Sequence, residues 1–432
     1  MKPLVHPYPE SGLPRSGRWT LQVAGNDVPV FELETTRFAH FAAEGSAELR
    51  ITADRPWAEV AVRPARAGIV HHVDGHSLVL ELPAAVDLCI DVSGDKPLML
   101  YADDPRASPR PEGEVVRLEP GKVHAIDQLD LHSGQTLFVE PGAILRGVVR
   151  AAHANNIAIV GRGMIDGGCT LASPLPKRKL VQLEDCQGVL VDGPLMIRPA
   201  GWMLALAACD DVIVRGVRQI GEIVTSDGVD VVGSRNVRIS DCLLKNNDDC
   251  IAVKAIVGGD YAFADSDPAR DVFNVRVERC IFWNDRAGNV MEIGFETRCD
   301  SIRDVVFRDI DVIAAHGYGG VFTIHNGDRA VVHDVLYEDI RVEHMYDRMV
   351  DFQVLHSRYS KDAERGRIRN VTLRRVRTLP DQYNTLNLIG GYDESHTVEG
   401  ICFDDVRIGD VLVRGPDDLA LFTRHAGNIT YR

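Results

Sequence analysis

Thr225-Ser226-Asp227-Gly228, followed by Asn247-Asp248-Asp249-Cys250-Ile251-Ala252-Val253-Lys254, is the stretch on which the fold turns. Its aspartates recur at intervals of 21 and 22 residues among short runs of Val and Ile. In a coiled stack of parallel strands, one turn takes roughly 20 residues or more. Asp227 then falls on one turn and Asp248 and Asp249 on the next, along one wall. Neighbouring strands lie about 4.7–4.9 Å apart, so the three carboxylates crowd together. Crowded acids cannot all ionise easily, which splits their pKa values. Split carboxylates are the equipment of glycosidic bond cleavage. Taken singly, Asp-Gly and Asn-Asp-Asp also read as ordinary turn residues. The match to one coil, and the strand that continues directly from Cys250, separate this trio from that reading.

Outward from it the same unit repeats. Short apolar strands preceded by Asn, Asp or Gly stand at Ile157, Val189, Val212, Val237, Val275, Val305, Val335, Val371 and Ile401. The gaps between them are 32, 23, 25, 38, 30, 30, 36 and 30 residues. Periods of roughly 20–50 residues signify a solenoid or array. Strands rich in Val and Ile, with no 3.6-residue periodicity and too little leucine at fixed places for leucine-rich repeats, predict an all-β right-handed parallel β-helix. The uneven gaps predict loops bulging from one flank to build a groove. Cys242 and Cys280, each five residues past a repeat strand's Val, are expected to stack in the core as small hydrophobes.

Residues 1 to about 105 follow another pattern. Leu21-Gln22-Val23, Ala58-Glu59-Val60-Ala61-Val62 and Ser77-Leu78-Val79-Leu80 are short extended runs punctuated by Gly, Asp and Pro, which predicts a small antiparallel β-sandwich. The break at Asp103-Asp104-Pro105-Arg106-Ala107-Ser108-Pro109 sets the expected domains at 1–107 and 108–432.

The 432 residues carry a net charge of −15, which disfavours nucleic acid and anionic membrane as partners. No run of eighteen apolar residues exists, so a membrane-spanning helix is not expected. The start, with Pro3, Pro7, Pro9 and Pro14, does not read as a signal peptide. Nine cysteines lack metal-type spacing, so a reducing, cytoplasmic setting is expected, or a secreted one if a leader has been removed. His71, His72 and His76 cluster beside a single acid, Asp74, too few for a metal site, and no metal or cofactor is expected. Association along the flanks into a homo-oligomer is left open.

The aspartate segment resembles the signature of glycoside hydrolase family 28, the polygalacturonases, and of family 49, the dextranase and isopullulanase group. The first reads Asn-Thr-Asp, then Gly-Asp-Asp-Cys-Ile-Ala-Ile-Lys one coil later; this chain has Thr-Ser-Asp and Asn-Asp-Asp-Cys-Ile-Ala-Val-Lys. Asn247 ahead of the Asp pair, and a sandwich preceding the helix, are closer to the dextranase group. Gln135 to Ala143 and Ile159 to Gly167 are similar to early coils of both. The likeness covers about residues 110–330 well and the remainder loosely. It implies an inverting hydrolase acting on an oligo- or polysaccharide. At the matched positions it implies Asp248 as general acid and Asp227 and Asp249 as holders of the attacking water. The residue chemistry alone does not say which Asp gives the proton. Acid and base are expected roughly 6.5–9.5 Å apart.

The departures point to the sugar. Where polygalacturonases carry Gly-His-Gly, this chain has Asn289; where they carry Arg-Ile-Lys, it has Thr323-Ile324-His325. Losing the Arg and Lys that clamp a carboxylate argues for a neutral α-linked glycan. Glu292 repels a uronate if it faces the groove, and is otherwise a solvated edge residue. His325 either lines the groove or sits on a surface loop. Trp283 and Trp202 either stack on a sugar or fill the core. Lys254 pairs with an aspartate, in a catalytic or merely structural role. The expected substrate-binding set is Asn247, Lys254, Trp283, Asn289, Glu292, Thr323 and His325. The alternatives are a polygalacturonase-type hydrolase, a glycosyl transferase on the same site, a calcium-dependent eliminase on the same fold, and a non-catalytic carbohydrate-binding β-helix.

Overall fold

The computed structural model describes residues 3–172, 178–380, 382 and 385–432. Among these residues, from Glu114 onward, thirty strands follow one another in a single continuous coil whose rungs pair in parallel, save one short antiparallel return at Val411–Leu412. This is the expected parallel β-helix, of the right hand that parallel crossovers adopt.

The repeat strands explain the coil. Ile157, Val189, Val212, Val237, Val275, Val305, Val335, Val371 and Ile401 pair in register, each with the next, and all are buried. The residue before each one has a left-handed backbone: Asn156, Gly188, Asp211, Asn236, Asn274, Asp304, Asp334, Asn370 and Gly400, with φ between 52° and 70°. Only Gly, Asn and Asp visit that region readily, so the polar residue ahead of every apolar run marks a corner. The corners hold one another: the Asn236 amide donates to Asp211 at 2.9 Å, and that of Asn274 to Asn236 at 2.9 Å. Cys242 and Cys280 are buried in the coil core.

The N-terminal region is two sheets around its own core. One, centred on Ala47–Ala53, is antiparallel throughout. The other departs from the expected antiparallel pattern, because Leu98–Asp103 runs parallel to Arg37–Ala42. The last strand ends at Asp103 and the coil begins at Glu114.

The sandwich lies along one outer wall of the coil. Strands Leu195–Ile197, Leu243–Asn246 and Ile281–Asn284 alternate: Met196, Leu244 and Phe282 face inward. Leu195, Ile197, Leu243 and Trp283 face outward and are buried against Tyr8, Phe31, Phe38, Met99 and Tyr101. A buried polar network crosses the same interface. Arg218 on the coil donates to Asp87 at 2.8 and 3.1 Å and to Asp103 at 2.6 Å. Asp103 also bonds His40 at 2.8 Å and His6 at 3.0 Å. The guanidinium holds the Asp103 carboxyl well below its usual range, and burial pushes His40 down to about 3.

Candidate active site

Asp227 and Asp249 each stand two residues ahead of a strand, Val229–Val232 and Ile251–Ala255, and Val229 pairs with Ile251. The two acids therefore occupy equivalent places on adjacent coils, 22 residues apart. Asn289 holds the same place one coil further, since Ile251 pairs with Met291. Asp248 precedes this column, and its oxygens accept from the Thr225 N–H at 3.1 Å and the Asp249 N–H at 3.0 Å. One carboxylate oxygen from each of the three acids lies within 4.8 Å of the other two. Gly288 makes room for them. Its φ is +65°, and a Cβ there would lie 2.3 Å from Asp248 Oδ1 and 2.7 Å from Asp249 Oδ1, so no larger residue fits without moving the acids.

One ammonium serves the whole cluster. Lys254 Nζ sits 3.1 Å from Asp227, 3.0 Å from Asp230 and 3.9 Å from Asp249. Its other neighbour is the face of Trp202, 4.3 Å from the ring centroid. Asp230 is a fourth acid that the sequence reading passed over. The pattern could have shown it, because Val229 and Val231 face inward and turn Asp230 onto the same outer wall. Four carboxyls against Lys254, with the Lys179 ammonium acting on Asp230 from farther off, leave an excess of negative charge in a buried place, so protons are retained. Burial raises Asp227 to about 7, partly offset by Lys254, and raises Asp230 to about 8. Burial and the Asp248 charge hold Asp249 well above its usual range, while Asp248 is raised chiefly by burial. The ammonium of Lys254 is stabilised well above its ordinary range by the surrounding carboxylates, against the cost of its own burial.

Asp230 gives a test by pH. A carboxyl whose pKa is raised on folding adds stability fully present below its unfolded value near 3.9 and lost as pH rises through about 8. Asp230→Asn removes that dependence while leaving Lys254 two other carboxylates. The variant's melting temperature, relative to the parent's, is expected to gain by a few degrees between pH 5 and pH 8; a difference unchanged across that range refutes the raised carboxyl.

The acids open into a groove of about 620 Å³. Trp202 and Tyr261 form one side, stacked at 5.3 Å, and Phe295 and Tyr359 another. Tyr261 donates to the Glu296 carboxylate at 2.5 Å, and Arg358 lies over the Tyr359 ring at 4.7 Å. Tyr261 comes from the long gap between Val237 and Val275, and Arg358 and Tyr359 from the one between Val335 and Val371. The expected bulging loops thus supply groove residues. Tyr261, Arg358 and Tyr359 were missed because loops outside the repeat carry no period to read, and Phe295 and Glu296 because they lie at the far end of the Met291–Thr297 strand, beyond the positions matched to the motif.

Of the expected substrate-binding residues, Lys254 and Asn289 line the groove. Asn289 acts on Asp249, donating from its backbone N–H at 2.7 Å and its amide at 3.3 Å. The others do not reach it. Trp283 lies under the sandwich, because the wall it projects from is the covered one. The Asn247 amide turns inward to the Glu222 carbonyl. Thr323 is buried, its hydroxyl tied to the Met291 carbonyl at 3.0 Å. Glu292 is neither in the groove nor a solvated edge: it is buried and pairs with His325 at 3.0 Å. His325 is not on a surface loop, since it lies in the Gly320–Asn326 strand with Asp351 3.4 Å from its other nitrogen. Those two carboxylates raise it to about 10, and Phe295 stacks flat on its ring at 4.3 Å. Trp202, weighed only as a sugar platform or core filler, is a groove residue.

Among the described residues, two groups have the spacing of a cation site, the aspartate trio and His6–His40–Asp103. In both, a protein cation already supplies the countercharge: Lys254 in the first and Arg218 in the second.

The sequence model of glycosyl hydrolases family 28 matches residues 145–411. A search of curated proteins finds no match. Among solved structures, Dex49A from Penicillium minioluteum superposes with a TM-score of 0.63 at 11% identity, over 98% of this chain and 96% of that one. The hyperthermoactive exopolygalacturonase from Thermotoga maritima gives 0.55 at 16% identity, over 73% and 84%. The family 28 exopolygalacturonase of Yersinia enterocolitica gives 0.53 at 13% identity, over 97% of each chain.

Proposed function

Since the chain belongs to the glycosyl hydrolases of family 28 and is a glycoside hydrolase acting on carbohydrate, we propose that it cleaves a neutral α-linked glycan by single displacement with inversion. The observation that carries this reading is the trio of carboxylates gathered around one ammonium at the floor of the groove. Asp227 and Asp249 are only 3% and 6% exposed, whereas Asp248 is half-buried and stands where a glycosidic oxygen can reach it. Asp248 therefore gives the proton to the leaving oxygen. Burial ranks proton affinities differently, with Asp227 and Asp249 held higher. Three carboxyls sharing one site titrate as a set, however, so position and not rank in the free protein names the donor.

Oxygens within 4.8 Å are closer than the acid–base spacing usual for inversion. Asp227 and Asp249 crowd because they are stacked on adjacent rungs, and a single water can hydrogen-bond two oxygens that far apart. Held there, the water loses its proton to the pair as it attacks the anomeric carbon.

The neutral sugar is supported by where the cations lie. Lys254 is enclosed by carboxylates, and His325 is buried between Glu292 and Asp351 behind Phe295. Aromatic faces and the Glu296 carboxylate suit a polyhydroxylated ring. Arg358 favours a second reading, polygalacturonate cleavage, because its guanidinium is exposed at the groove rim.

The test is a panel of neutral α-glucan oligosaccharides against oligogalacturonates, with the first-formed anomer read by NMR. Cleavage of a neutral glucan with inversion is expected. Retention refutes the single displacement, and cleavage of oligogalacturonate abolished by Arg358→Ala establishes the second reading instead.

A further inference from the structure

The outer wall that bears the acids continues well past them. One column of outward positions runs Asp230, Ala252, Glu292, Thr323, Asp351, Leu388 and Phe422, each paired in register with the next. The column beside it runs His325, Gln353, Gly390 and Arg424. Over the first rungs the side chains are buried and mostly polar. At the last two, Leu388 and Phe422, they become apolar, the first half-buried and the second exposed, and a second concavity of about 590 Å³ opens there.

Its lining includes Gln353, His356, Gly390, Tyr392, Phe422 and Arg424. Tyr392 is 46% exposed and Phe422 56%, two aromatic side chains left facing water in one hollow. Exposed apolar surface gathered in a concavity marks a binding site more often than scattered surface residues do. Gly390 leaves bare backbone on the rung between Gln353 and Arg424, and a Cβ there would meet nothing within 4 Å. Aromatic faces for the apolar side of a ring, with an amide and a guanidinium for its hydroxyls, suit a sugar.

The place of this hollow decides the occupant. Five rungs separate Phe422 from Ala252, about 24 Å at about 4.8 Å per rung. The segment that follows the Arg348–Val354 strand borders both hollows: Leu355 and His356 line the distal one, and Arg358 and Tyr359 the groove with the acids. We propose that the distal concavity is a second binding site for the neutral glycan, gripping the chain several sugar residues away from the bond being cut. This rests on the functional reading above, with the hollow adding length selection to it.

The experiment compares the parent with the Tyr392→Ala/Phe422→Ala double variant, both also as Asp248→Asn, in native gels containing dextran or pullulan. In parallel, kcat/KM is measured on polymer and on the shortest oligosaccharide the parent cleaves. The parent is expected to be retarded in the gel and the double variant far less so. Its kcat/KM on polymer is expected to fall about tenfold, with the shortest substrate unaffected. Equal retardation of the two proteins, no retardation of the parent, or equal loss on short and long substrates would each overturn the proposal. So would a parent dimer that the double substitution dissociates, which makes the hollow an interface between copies. Failure of the hydrolase reading looks different: the parent yields no product from any glycan, while gel retardation is scored independently.

Discussion

Asp248→Asn is expected to lower turnover on a natural glycan about 10²–10⁴-fold, the share a positioned proton donor supplies, with the melting temperature nearly unchanged. Asn keeps the shape of the side chain and can still accept one of the two backbone N–H bonds from Thr225 and Asp249. It cannot protonate a departing oxygen. A substrate whose leaving group needs no proton, a glycosyl fluoride, separates the roles. Asp248→Asn should hydrolyse the fluoride at a rate near the parent's. Asp227→Asn and Asp249→Asn should be slow on both substrates, because they disable the water. If Asp248→Asn is slow on both and Asp227→Asn is rescued by the fluoride, the donor is Asp227 and the assignment must be exchanged.

The second large effect is on folding. Arg218→Met is expected to destabilise the protein by about 3–5 kcal/mol at pH 7, read by denaturant unfolding. The guanidinium makes three hydrogen bonds to Asp87 and Asp103, and both it and Asp103 are buried. Removing it leaves Asp103 charged among buried neighbours, with Arg162 at 3.4 Å as its remaining close guanidinium. The loss should shrink in Arg218→Met/Asp103→Asn, which removes the stranded charge with its partner. If the single and double variants are equally unstable, the damage lies in lost packing and not in an unpaired carboxylate.

The coil was legible in the sequence because its physics is local. A left-handed corner admits few residue types, so Asn236, Asn274 and Asp304 announce the bends. The Val and Ile that follow announce the inward face. The acid trio was legible for the same reason: Asp227 and Asp249 differ by one coil, and equivalent places on successive coils stack. Three further facts lie outside any single period. Trp283 projects outward as a groove residue would, but only the docked sandwich decides which outer wall is covered. His325 and Glu292 pair across neighbouring coils, 33 positions apart, so neither sequence neighbourhood shows that the other neutralises it. Tyr261 and Tyr359 enter from loops whose lengths were read but whose paths were not. Asp230 differs from these, because strict alternation beside Asp227 sufficed to find it.

The sandwich covers only part of the coil. Among the described residues, the apolar cluster it shares with the coil runs from Ile144 to Ile313 and Ala314, and Glu343 reaches it through Arg63. That cluster has no member after Ala314, so the later turns lean on the coil itself, and in such an array cohesion is largely a sum of nearest-neighbour terms. The molecule is thus a rod splinted along part of its length. Heat or tension should loosen the turns after Arg348 first, one at a time, while the splinted half that holds the aspartates is the last to come apart.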